Sequence, residues 1–102
     1  MIYSLTDKLN FDENPKIKIK DKTLEVKADA ETVLSLMDVI QNSDNEMQAT
    51  LEAANLLFSE KDGKIIKSLK LGFKDYVTLI TTAINLAIGE DPDAEENSQG
   101  EE

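Results

Sequence analysis

FKDYVTLITTAINLAI, residues 73–88, is the longest apolar stretch of the chain. At about 100° per residue, Phe73, Tyr76, Val77, Ile80, Ile84, Ala87 and Ile88 share a sector about 120° wide, which predicts a helix. Leu79, Ala83 and Leu86 lie beside that sector and widen the apolar arc to roughly 200°. A helix with an ordinary one-sided core does not need so wide an arc. Either it lies in the middle of the fold, or it offers a second face to another chain. Gly89 ends the run.

The chain has 102 residues, 40% of them apolar, which supports one domain with a single modest core. It contains no His, Cys or Trp, and its eleven basic residues are all Lys. Without Cys and His there are no thiol nucleophiles, Ser-His-Asp arrangements, disulfides or ordinary zinc sites. Without Arg there is no bidentate fork for phosphate or carboxylate. A net charge of −10 repels nucleic acid and anionic membrane surfaces. The start, MIYSLTDKLNFDENP, lacks the basic and apolar regions of a signal peptide. No segment offers the ~20 apolar residues of a membrane span. The expectation is a soluble, cytoplasmic protein that is not an enzyme and holds no cofactor.

Going back along the chain, residues 1–15 carry Ile2, Tyr3, Leu5, Leu9 and Phe11 without a period and read as a flexible arm closed by Pro15. KIKIKDKTLEVK, residues 16–27, alternates strictly and predicts a β-hairpin turning at Asp21-Lys22, with Ile17, Ile19, Leu24 and Val26 on the covered face. Such a hairpin is marginal alone, so helices must cover it. Asp29 is a helix cap, and Val33, Leu36, Met37 and Ile40 predict a helix over 30–41, with Asn42 as a left-handed stop. Ser43-Asp44-Asn45-Glu46 matches a capping box and opens a second helix over 44–60. Its stripes are Met47, Leu51, Ala54 and Phe58, then Ala49, Ala53 and Leu56. Asp62-Gly63 breaks the pattern and starts a third helix over 63–71, ended by Gly72. The fourth is 73–88. The remainder, 90–102, is acidic and predicts a disordered tail. Together these readings predict an α+β, mainly α fold: an N-terminal hairpin packed on about four helices, in one domain over 16–89.

Charge is segregated. Residues 16–27 and 61–75 each hold five Lys against two acids, whereas 28–60 hold seven acids and no Lys. One reading pairs these segments within the domain through weak surface ion pairs. The other sets Lys16, Lys18 and Lys20, or Lys64, Lys67 and Lys70, against acidic surface on a neighbouring copy or a partner. No aromatic residue alternates with these lysines to stack on bases.

Asp91, Asp93, Glu95 and Glu96 lack the spacing and the Gly of a calcium loop. Asp38, Glu46 and Glu52 sit on polar helix faces and define no dry cleft for acid–base work. The candidate site is instead an apolar docking face for a helix: Leu79, Ala83 and Leu86 on the last helix, with Ala49, Ala53 and Leu56 on the second.

A short arm, a Lys-rich hairpin (KIKIKDKTLEVK), a helix entered through ADAETVLSLMDVI and a closing GFKDYVTLITTAINLAIG resemble the small tail assembly chaperones of long-tailed phages of Gram-positive bacteria, over residues 9–89. The resemblance implies a mainly helical, non-enzymatic protein of the bacterial host cytoplasm. The partners expected of such a protein are the long apolar tape-measure protein, which it coats, the major tail protein and further copies of itself as a homo-oligomer. It also implies that a longer frameshifted form exists for some members. Two other readings compete: an acidic DNA mimic or inhibitor, and a purely structural oligomer. An acyl carrier is excluded, because Ser35 follows Leu34 and Ser68 follows Lys67, where that role needs Asp before the Ser.

Overall fold

In the computed structural model, which describes residues 1–6, 9 and 13–89, the alternating segment folds as β1 (Lys16–Ile19) antiparallel to β2 (Lys22–Glu25). Ile17 pairs with Leu24 and Lys18 with Thr23, so one face is apolar and the other carries Lys16 and Lys18. The turn is Lys20-Asp21, one residue earlier than expected, with Lys20 in the left-handed region at φ 55°. This register places Val26 opposite Pro15, whose carbonyl accepts the Val26 N–H at 2.9 Å. Lys27 is then free to donate its N–H to the Leu57 carbonyl at 2.8 Å, so the strand runs directly into the helical layer.

Four helices follow: α1 (Ala30–Asn42), α2 (Glu46–Leu57), α3 (Glu60–Leu69) and α4 (Phe73–Ala87). The architecture is therefore mainly helical with an N-terminal two-stranded hairpin, as the periodicities predict. Asp29 caps α1 as expected, accepting from the Thr32 hydroxyl at 2.7 Å and the Thr32 N–H at 3.2 Å. Three other boundaries differ from the sequence reading.

The capping box at Ser43 does not form. Ser43 closes α1 in an extended conformation, donating its N–H to the Val39 carbonyl, so Asn42 is not a left-handed stop. Asn45 caps α2 in its place, accepting the Gln48 N–H at 2.8 Å. The break between α2 and α3 falls at Phe58-Ser59, not at Asp62-Gly63. Phe58 leaves the helix to bury its ring, and the Ser59 hydroxyl accepts the Asp62 N–H at 3.1 Å. Those two gains outweigh the helix penalty of Gly63, about 1 kcal/mol. Finally, α3 ends on Lys70 in the left-handed region, and Gly72 is the extended residue that opens α4. Gly89 closes α4 at φ 90°, as its position predicts.

The core joins Leu24 and Val26 to Ala53, Leu57 and Phe58, then to Ile66, and to Leu79, Ile80, Ala83 and Ala87 of α4. α4 packs mainly on α2, and α3 bridges α2 and β2. α4 turns Leu79, Ile80, Ala83 and Ala87 into the core while Phe73 and Ile88 at its ends stay exposed, and the helix that packs on the other three is α2. α1 packs chiefly on α2 as the outer arm of a helical hairpin, and contributes Leu36 alone to the fully buried set. The described residues of the arm form no α-helix or strand, and Met1, Ile2 and Leu5 are exposed. The expected tail, 90–102, lies outside the described residues. Among those residues no helix is long and apolar enough to cross a membrane.

Candidate docking surface

Three of the six apolar candidates are enclosed in the isolated chain: Ala53 and Ala83 at 0% exposure and Leu79 at 6%. Ala49, Leu56 and Leu86 are half-buried. Leu79 and Ala83 lie where α4 meets the rest of the core, and Ala53 is the small residue that lets a neighbouring backbone approach α2. They are core residues, which corrects their assignment to a docking face.

The exposed apolar surface is elsewhere. Leu34, Met37 and Ile40 recur at three-residue intervals on α1, each at least 44% exposed. Met47 and Leu51, four apart on α2, are 62% and 53% exposed. A signal for this was present in the sequence. Val33, Leu34, Leu36, Met37, Val39 and Ile40 span roughly 220° of α1, an arc as broad as that of α4.

Between α1 and α2 runs an open groove, with Leu34, Val39 and Leu56 among its lining and Asp38 and Glu52 beside them. Among the described residues its carboxylates meet neutral donors only. Asp38 accepts from the Asn42 side-chain amide at 2.7 Å, and Glu52 from the Ser43 hydroxyl at 3.2 Å and the Gln48 amide at 3.4 Å.

The six candidate lysines, Lys16, Lys18, Lys20, Lys64, Lys67 and Lys70, are all exposed. Among the described residues the single salt bridge is Lys64 to Glu60, at 3.8 Å between two highly exposed side chains of α3. Lys16 stands opposite Glu25 across the hairpin, yet the Glu25 carboxylate accepts from the Asn14 amide at 2.9 Å. The basic hairpin and the acidic helices therefore do not pair with each other within the described chain. No protein family, curated protein sequence or solved structure was found to match this chain.

Proposed function

We propose that this protein is an assembly chaperone of a phage tail, which binds an apolar helical client of the tape-measure type and keeps it soluble until the tail forms. The supporting observation is the exposure of Leu34, Met37, Ile40, Met47 and Leu51 on one helical hairpin whose charges are all acidic. A holdase needs accessible apolar side chains and enough like charge to stay dispersed while it carries them. The α1–α2 pair has both. The reading moves the client surface from α4 to the exposed faces of α1 and α2 and requires no catalytic group or cofactor. The layout resemblance to tail assembly chaperones supplies the identity of the client.

The test is co-expression with the tape-measure protein encoded beside it. The chain should hold that partner soluble and co-purify with it. Ile40→Asp with Leu51→Asp should abolish co-purification while leaving far-UV circular dichroism and the melting temperature nearly unchanged, because both side chains already face solvent. Leu79→Asp should instead unfold the chain. If the double variant still carries the client, the α1–α2 surface is not the docking site.

A further inference from the structure

We infer that the groove between α1 and α2 receives the Lys-rich hairpin of a second copy of this chain. The inference does not depend on the client reading, since it uses the groove and the hairpin and not Ile40 or Leu51.

The groove combines an apolar lining with carboxylates that no cation among the described residues meets. Leu34, Val39 and Leu56 contribute to the lining, and Asp38 and Glu52 receive only neutral hydrogen bonds. Its occupant should therefore carry aliphatic surface and positive charge together. A lysine side chain does so by itself: its methylene stem lies along apolar surface while its ammonium reaches a carboxylate. The hairpin presents Lys16, Lys18 and Lys20 at alternate positions, and none of them meets a carboxylate within salt-bridge distance among the described residues. Period-two spacing sends Lys16 and Lys18 to one face of β1, and Lys20 follows them in the turn.

The same chain thus holds both halves of a complementary pair and, among the described residues, joins neither half internally. Isolated surface ion pairs contribute little, but the stems of Lys16 and Lys18 over an apolar groove add burial to charge. Charge complementarity also sets which faces meet. Because the two halves lie on different elements, each copy both gives a hairpin and offers a groove. The contact closes as a reciprocal dimer or continues head to tail, as symmetry allows.

The alternatives are less favoured. The basic helix α3 already pairs Lys64 with Glu60. The N-terminal arm holds Asp7, Asp12 and Glu13 against Lys8 alone, so its charge does not complement the groove.

The experiment is sedimentation equilibrium of the full chain. Wild type should show a concentration-dependent mass above the monomer. K16E/K18E/K20E and D38K/E52K should each weaken association at least about tenfold, and a one-to-one mixture of the two should restore it, because reversed hairpin and reversed groove are again complementary. K61E/K67E/K74E changes net charge as much as the hairpin variant does and should associate like wild type, which separates a specific contact from general repulsion. Circular dichroism checks that each variant is folded, and D38N/E52Q, which removes charge without reversing it, should also weaken association. A wild-type monomer at all concentrations, a hairpin variant that still associates, or a mixture that stays monomeric would each overturn the proposal. Loss of client binding without loss of association would instead fall on the chaperone reading alone.

Discussion

Asp62 is the one buried charged residue in the described core, and it holds two elements together. Its N–H goes to the Ser59 cap of α3, and its carboxylate turns away from its own helix to accept the Glu25 N–H of β2 at 2.9 Å. Asp62→Ala leaves that strand donor unpaired and is expected to cost about 1–3 kcal/mol in urea unfolding. Asp62→Asn keeps an acceptor oxygen and should cost less. Equal losses would mean that the charge, not the hydrogen bond, is what matters. Asp29 makes a different, pH-dependent contribution. The Thr32 hydroxyl and then the Thr32 N–H hold its carboxyl below the ordinary aspartate range. A depressed folded-state pKa means that the cap stabilises α1 fully above the unfolded-state pKa and loses this as pH falls through the folded one. Asp29→Asn, which caps without titrating, should remove that acid-dependent fraying at Ala30–Val33, as followed by amide chemical shifts.

Gly63 tests the helix boundaries. It lies inside α3 with its N–H on the Ser59 carbonyl, and a Cβ built there meets nothing within 4 Å. Gly63→Ala should therefore raise stability by about 0.5–1 kcal/mol, through helix propensity and a less flexible unfolded chain. Destabilisation would show that the helix does need a glycine at that point. The case illustrates what could be read in the chain and what could not. Asp62-Gly63 looks like a breaker because glycine is a poor helix former, but Ser59 and the buried ring of Phe58 decide the boundary, and their effect depends on tertiary packing. The hairpin, the Asp29 cap and the uncharged centre of α4 were legible because each rests on local alternation, capping or periodicity. The exposed apolar surface was misplaced for a physical reason. α1 and α4 carry comparably broad apolar arcs, and which one is covered depends on layer order, which periodicity does not encode. From Tyr76 to Ile88 there is no charge, whereas α1 has Glu31 and Asp38, and that difference was the available clue.

The molecule as a whole is unevenly anchored. α4 brings Leu79, Ile80, Ala83 and Ala87 into the core and packs on α2, while α1 brings Leu36 and packs chiefly on α2 from outside. Burying one aliphatic side chain stabilises by about 1.5–3 kcal/mol, so a helix held by a single fully buried leucine can open well before the domain does. Hydrogen exchange of the free protein should then rank the elements, with amides at 79–84 slowest and those at 33–42 faster, through openings that leave α4 closed. Such openings would also serve a holdase, because they enlarge the apolar surface on the same helix that exposes Leu34, Met37 and Ile40. A bound client or a second copy seated in the groove should slow exchange in α1 more than in α4. If α1 and α4 instead exchange together at matched intrinsic rates, the domain opens as one cooperative unit, and α1 is no more available to a partner than the core helix is.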